Sequence, residues 1–330
     1  MARLPVSNLN GSPCFTSSIH SKLPRPYQPA PPPPPPPYIQ LSSVGINPFP
    51  LKKVRWTVGL VQADLHFPVD HFYFLKMSML SKLRCITVDV TGTLMAYKGE
   101  LGDYYCMAAK SIGLPCPDYK RVHEGFKLAY TELARKHPCF GFAEKIPNIV
   151  WWKTCVRNSF VQAGYEYDEE TFEKIFRRIY STFGSSAPYA IFPDSQSFLR
   201  WVRGKGVTVG IVSNSEYRYQ DVLLPALGLH QGSEWDFGVF SGLEGVEKPD
   251  PRMYQIALER AGNIAPTEAL HIGDSMRKDY LPAKSVGMHA LLLDRFNIPD
   301  AEIWRKSGAI VLPDLVAVQK WLSSEQQVCQ

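Results

Sequence analysis

From Leu80 onward, short apolar and β-branched runs alternate with segments whose apolar residues recur every three or four positions. Those are the spacings of buried strands and of amphipathic helices. Cys85-Ile86-Thr87-Val88 opens the series, and Asp89-Val90-Thr91-Gly92-Thr93-Leu94 follows where such a strand must end. Val207 to Val212 repeats the pattern and ends in Ser213-Asn214; Trp235 to Phe240 is closed by Ser241-Gly242, and Glu268 to Ile272 by Gly273-Asp274. His289 to Leu293 and Ala309 to Leu312 supply a fifth and a sixth strand. Helical spacing lies between them over Ser195 to Gly204, Pro251 to Ala261, Tyr280 to Val286 and Leu315 to Leu322. Strands separated by helices of about ten residues imply an α/β fold, a doubly wound parallel sheet covered on both faces.

Between Tyr97 and about Pro193 this alternation gives way to a helical, aromatic pattern of about four elements, punctuated by Gly113-Leu114-Pro115, Pro138, Pro147 and Gly164. Asp168-Glu169-Glu170 reads as a helix start with acidic residues complementing the dipole. Trp151 and Trp152 are expected to pack a core rather than form a substrate platform. The organisation that follows is an arm over 1–79, a core over 80–97 and 190–322, a helical insert over 98–189 and a tail over 323–330.

The arm differs in composition. It holds fifteen of the 28 prolines, seven of them consecutive from Pro31 to Pro37, a stiff polyproline rod that cannot build a core. Its first 63 residues carry no acidic side chain but several serines and basic residues, the composition of a chloroplast or mitochondrial transit peptide. Two other readings stand beside it: a disordered tail without an address, or an extension preceding a start at Met77 or Met79 in a protein of the cytoplasm or nucleus. The proline run Pro31–Pro37 is also a candidate ligand for an aromatic groove on a partner protein.

The formal charge of +5 belongs to that arm, which has seven Lys and Arg against two Asp and Glu, whereas the rest of the chain has twenty-nine of each. The body is neutral overall, which argues against a nucleic-acid surface. No apolar run approaches the roughly 20 residues of a membrane span. Seven cysteines without a CxxC pair make a zinc site or disulfide framework unexpected and point to a reducing compartment.

In a parallel sheet the strand ends share one edge, so residues distant in sequence become neighbours there. The ends carry Asp89 with Thr91 and Thr93, Ser213 with Asn214, Lys248 in Glu247-Lys248-Pro249-Asp250-Pro251, and Asp274 followed by Asp279. Three carboxylates around one point repel one another unless they share a cation, and an oxygen-rich site suits magnesium, Mg2+. Lys248 and the Ser213 hydroxyl offer charge and a donor to an anion such as phosphate. The roles that follow are Asp89 as nucleophile, through an aspartyl-phosphate, Asp274 as metal ligand, and Asp279 as a ligand directly or through water. Asp89 would share the metal, and Asn214 and Thr93 are candidates beside Ser213 and Lys248 for binding the phosphate. Asp89 and Asn214 could instead be turn residues, and Thr93 could tie its loop.

Asp89-Val90-Thr91-Gly92-Thr93, Ser213-Asn214, Lys248-Pro249-Asp250-Pro251 and Gly273-Asp274-Ser275-Met276-Arg277-Lys278-Asp279 resemble motifs one to four of the haloacid dehalogenase-like hydrolase superfamily. More narrowly, the chain is similar to plant members of the group called haloacid dehalogenase-like hydrolase domain-containing protein 3. The resemblance spans roughly 83–320, and four motifs in order are far more specific than one. It implies a Rossmann-like core, an insert placed like the superfamily's first type of cap, a Mg2+ cofactor and an aspartate nucleophile, and it leaves the substrate unassigned. The roles read from the residues call for a small phosphorylated metabolite. The resemblance also implies that the backbone carbonyl of Thr91 is a metal ligand.

One position departs from the pattern. Phosphomonoesterases of the superfamily carry a second aspartate two residues after the nucleophile, as general acid and base, and here Thr91 stands in its place. A threonine hydroxyl cannot shuttle a proton near neutral pH, and a lost general acid costs roughly 10²- to 10⁴-fold in rate. Asp103, His123 and Glu124 of the insert are candidate replacements. Three expectations follow: a Mg2+-dependent phosphohydrolase, a phosphonatase- or dehalogenase-type hydrolase, or a Mg2+- and phosphate-binding module that turns over weakly or not at all and acts through partners. A phosphonatase would need a cap lysine, for which Lys110, Lys127, Lys136 and Lys145 are available.

Overall fold

The computed structural model describes residues 78–115 and 117–324. The expected arm therefore lies outside the described residues up to Met77, Pro31–Pro37 included, as do residues 325–330 of the expected tail. Eight strands occur in chain order: β1 (Cys85–Val88), β2 (Met95–Tyr97), β3 (Tyr189–Ile191), β4 (Thr208–Ser213), β5 (Phe237–Phe240), β6 (Ala269–Gly273), β7 (His289–Leu293) and β8 (Val311–Leu312). Six of them form one sheet in the order β5-β4-β1-β6-β7-β8. Every neighbouring pair is parallel. The architecture is the α/β sheet that the alternation of strand and helix spacings implied.

β1 lies inside the sheet, with Val88 opposite Ile211 of β4 on one side and Ile272 of β6 on the other. Its four residues are all buried. Successive side chains serve opposite faces. Ile86, Val88, Val209 and Ile211 join one core with Phe198 and Leu199 of the Ser195–Gly204 helix. Cys85 and Val212 join a second core with Met253 and Tyr254 of the Arg252–Arg260 helix. A sheet covered twice has no polar face, which is why its strands read as continuous apolar runs.

The helical insert leaves after β2 and returns at β3. These two strands pair antiparallel, with Met95 opposite Ile191 and Tyr97 opposite Tyr189. Neither was anticipated, because three residues are too few to display a period of two. Four main helices follow β2: Leu101–Lys110, Tyr119–Lys136, Asn148–Gln162 and Glu169–Phe183. Asp118 caps the second, its carboxylate accepting from the amides of Lys120 and Arg121 at 3.0 and 3.1 Å. Asp168 caps the fourth in the same way, accepting from the Thr171 amide at 2.9 Å. Trp151 is fully buried among Leu133 and Cys155, with Trp152 packed against them half-buried. No described helix is long and apolar enough to cross a membrane.

The second and third of these helices approach closely at Gly125, where a Cβ would stand 2.4 Å from the Ser159 carbonyl oxygen. Gly125→Ala is therefore expected to wedge the insert open. Overpacking of this kind costs about 1–3 kcal/mol, offset in part by the ~1 kcal/mol that alanine gains over glycine in a helix. A lowered urea midpoint at unchanged m-value would show it, and an unchanged or raised midpoint would oppose it.

Candidate active site

β4, β1 and β6 are adjacent in the sheet, so the residues that follow them meet at one edge. Asp89 comes immediately after β1, and its amide still donates to the Ile272 carbonyl at 2.9 Å, which fixes its backbone within the ladder. Lys248 arrives from the segment after β5. Its ammonium, 3% exposed, donates to Asp89 Oδ1 at 2.6 Å, Asp279 Oδ1 at 2.6 Å and the Val212 carbonyl at 3.0 Å. All three N–H groups thus have protein acceptors. Asn214 holds this segment in place: its Nδ2 donates to the Lys248 carbonyl at 2.8 Å and its Oδ1 accepts from the Lys248 amide at 2.7 Å.

Beneath this layer runs a buried polar chain. Asp279 Oδ2 accepts from the Ser275 amide at 3.0 Å, and Oδ1 lies 3.2 Å from His271 Nε2. His271 Nδ1 is 2.8 Å from the Thr87 hydroxyl. Burial pushes the His271 imidazole below its ordinary value, which favours the neutral form. The network then assigns Nε2–H to Asp279 and lets Nδ1 accept from Thr87.

The three carboxylates differ in state. Burial pushes Asp89 upward against the pull of Lys248. Burial opposes ionisation of Asp279 as well, but the Lys248 ammonium and the bond from His271 hold it well below the usual carboxylate range. Burial, then the charges of Asp89 and Asp279, raise Asp274 to about 7. No other residue hydrogen-bonds to the Asp274 carboxylate among the described residues. Ligand atoms of Asp89, Asp274 and Asp279 lie within 4.8 Å of one another. With one ammonium among three carboxylates, the ionised cluster carries a charge of −2, which a divalent cation would neutralise. The donors are all oxygen, as a hard cation requires. Gly92 leaves the room: with φ at +85°, a Cβ there would come within 1.9 Å of Asp274 Oδ2. The acidic cluster therefore fits a divalent metal ion.

A cleft of about 280 Å³ opens above the cluster, lined by Asp89, Asp274, Asp279, Thr91, Ser213 and Asn214 among others. Thr93 lies apart from it, fully buried, its hydroxyl unpartnered and its carbonyl accepting from Arg295 Nε at 2.9 Å. The insert contributes neither an acid nor a lysine to the cleft wall. Asp103 accepts from the Glu100 amide, Glu124 pairs with Lys127 in solvent, and His123 packs where the first two insert helices cross at Gly102. Lys110, Lys127, Lys136 and Lys145 are likewise absent from it.

Tyr219, Ser275 and Lys278 also line the cleft, and sequence reasoning did not single them out. Ser275 and Lys278 fall inside the stretch from Gly273 to Asp279 and were within reach of it. Tyr219 was hidden, because it lies in one turn of π-helix, Tyr219–Leu223, five residues beyond Asn214. Its hydroxyl meets that of Thr91.

Residues 83–287 match the family described as haloacid dehalogenase-like hydrolase. Haloacid dehalogenase-like hydrolase domain-containing protein 3 of Bos taurus is 32% identical over 64% of this chain and 82% of that protein. Among solved structures, a predicted phosphoglycolate phosphatase from Haemophilus somnus 129PT is 20% identical with a TM-score of 0.50, covering 72% of this chain and 97% of that one. The L-2-haloacid dehalogenase of Xanthobacter autotrophicus is 15% identical with a TM-score of 0.51, covering 74% and 100%. At such identities these two likenesses speak for the fold alone.

The raised Asp274 carboxyl gives a stability test. Its folded value lies above its unfolded one, so its contribution to stability falls as pH rises from about 4 to about 7. Asp274→Asn is expected to raise the Tm of EDTA-treated protein, more at pH 8 than at pH 4, and to abolish the rise in Tm that Mg2+ gives the native chain. Thermal scans with and without Mg2+ check both. A variant that lost stability at pH 8, or kept the Mg2+ response, would contradict this account of the cluster.

Proposed function

Because the chain belongs to the haloacid dehalogenase-like hydrolases, we propose that this cleft hydrolyses a small phosphorylated metabolite through an aspartyl-phosphate on Asp89. The observation that carries the reading is the placement of Asp89: a strand-end carboxylate fixed through Oδ1 to Lys248 at 2.6 Å, beside the otherwise unpartnered Asp274. With Oδ1 anchored, Oδ2 is the oxygen free to attack. The Asp89–phosphorus bond forms as the bond to the leaving oxygen breaks. Water then cleaves the acyl phosphate, releasing inorganic phosphate and restoring Asp89.

Lys248 acts here as a fixed positive charge and as the anchor of the nucleophile, since its donors are already engaged. Ser213 offers its hydroxyl to a phosphoryl oxygen. Asn214 serves by holding the Lys248 backbone. Asp89, Asp274, Asp279 and the Thr91 carbonyl would hold Mg2+, which when bound neutralises charge on the phosphoryl oxygens. Thr91 supplies no proton, so turnover should favour leaving groups that need little protonation.

A second reading draws on the cleft wall, where none of Asp103, His123 and Glu124 appears. Without a replacement acid, the protein would hold a cation and a phosphate with little turnover. The missing cap lysine speaks against phosphonate cleavage. Carbon-halogen cleavage has little use for Asp274 and Asp279 as a metal pair, and activity surviving chelation would favour it.

Phosphate release from a panel including acetyl phosphate and sugar phosphates is expected to require Mg2+ and to fall at least about 10³-fold in Asp89→Asn. Tight phosphate binding without release from any ester or acyl phosphate would replace the hydrolase reading with the binding module.

A further inference from the structure

A second cavity lies between the insert and the core, and its walls differ from those of the cleft. Tyr97, Tyr105, Phe126, Trp152, Phe176 and Phe183 are among its walls, with Tyr219 on the side of the cleft. Tyr219 lines both spaces. Its hydroxyl meets Thr91 on the cleft side and lies 3.4 Å from the Tyr97 hydroxyl on the other. Tyr219 is therefore the wall that the two spaces share, and this cavity is the apolar space adjoining the cleft on the side of the insert.

The polar atoms of the wall restrict what that group can be. Arg218 and Glu216 are the only charged residues lining it, and they bind each other, Nε to Oε1 at 2.6 Å. The Arg218 amide and guanidinium are engaged further, with Glu216 Oε2 at 2.8 Å and the Tyr180 carbonyl at 3.2 Å. The guanidinium also stacks on the Tyr180 ring, 4.0 Å from its centroid. Neither charge is left over for an ionic ligand. Tyr180 donates to Asn148 at 3.0 Å and Tyr189 to the Phe183 carbonyl at 3.3 Å. Trp152 Nε1 is the exception, a buried donor without an acceptor. Buried donors rarely stay unpaired, and a ligand acceptor in this cavity would satisfy this one. The volume is about 70 Å³. An apolar void of about 150 Å³ admits benzene, so half of that suits a chain of roughly three carbons.

We infer that this cavity is the subsite for the organic part of the substrate, and that it takes a short, uncharged, mainly apolar group bearing one hydrogen-bond acceptor for Trp152. The inference rests on the hydrolase reading of the cleft only for its kinetic arm. Polyhydroxylated groups are disfavoured, because most of their hydroxyls would be buried against aromatic side chains.

Two comparisons test it with the full chain in Mg2+. n-Propyl phosphate and glycerol 3-phosphate have the same carbon count, and kcat/KM for the former is expected to be at least about tenfold higher. Independently of turnover, n-propylphosphonate should bind about tenfold more tightly than methylphosphonate by calorimetry, the gain from two buried methylenes. Ile179→Phe, which fills the cavity, should bring that ratio close to one, with circular dichroism confirming the fold. Trp152→Phe, which removes the donor and keeps the ring, should leave the propyl preference intact. It should also abolish the further gain shown by 3-methoxypropylphosphonate, an ether that carries one acceptor. If nothing is hydrolysed but the phosphonate ratio holds, the hydrolase reading fails and the subsite stands. Equal turnover of the two esters, or equal binding of the two phosphonates, overturns the subsite.

Discussion

One ammonium group holds the chemistry of this protein together. Lys248 Nζ sits in a buried place among Asp89, Asp279 and the Val212 carbonyl, so it ties together the ends of the strands from which those groups come. A buried charge pair is stable only when its remaining donors and acceptors are satisfied, and here every N–H of the ammonium has an acceptor. The price of that arrangement is an excess of negative charge. One ammonium does not balance three carboxylates, and the imbalance falls on Asp274, the one without a hydrogen-bonding neighbour. That carboxyl is pushed up to about 7, first by its burial and then by the charges of Asp89 and Asp279. The same imbalance makes the cluster suitable for a divalent cation. Fold and metal affinity therefore rest on a single count of charges.

The sheet was legible because both its faces are buried. Each strand reads as an unbroken apolar run, as in Val207 to Val212, and each ends on residues that turn or bind, as in Ser213-Asn214 and Gly273-Asp274. The acidic cluster was legible for a related reason: in a parallel sheet the strand order matters less than the shared edge, so Asp89, Asp274 and Asp279 could be brought together without knowing the topology. Less accessible were features set by three-dimensional packing alone. β2 and β3 are too short to show a period. Asn214 is a phosphate ligand on paper, but in the fold its amide is matched to the Lys248 backbone. Thr93 belongs to a motif stretch and yet faces the interior. Tyr219 carries no local signature and stands at the start of a π-helical turn beyond the strand-end residues. The candidates for a replacement acid, Asp103, His123 and Glu124, all lie in the insert, since an insert that covers a site can bring one. The wall of the cleft is instead completed from the core side by Tyr219, Ser275 and Lys278.

The insert has its own logic. Its helices are held by aromatic contacts among themselves, as between Trp151 and Trp152 with centroids 5.0 Å apart, and by a separate buried cluster built on Tyr105, Val122, Phe160 and Phe176. Only part of its apolar surface is used in this way. Another part of it, with Phe126, Trp152 and Phe176, lines a space shared with Tyr97, Tyr189 and Tyr219, which is how an aromatic space arises next to an acidic one. The two adjoining compartments differ in polarity because one is walled by strand ends and the other by helix sides.

The antiparallel pairing of β2 with β3 has a consequence for descent. The chain departs from and rejoins the core at two hydrogen-bonded strands, with Tyr97 directly opposite Tyr189. Everything between them is a loop closed at its base, topologically equivalent to a hairpin turn. Lengthening, shortening or exchanging that loop requires no rethreading of the six-stranded sheet and moves none of the strand ends that bear the carboxylates. A lineage could thus graft a new enclosure onto an unaltered reaction centre in one recombination event, and selection on substrate could proceed without disturbing the catalytic charges.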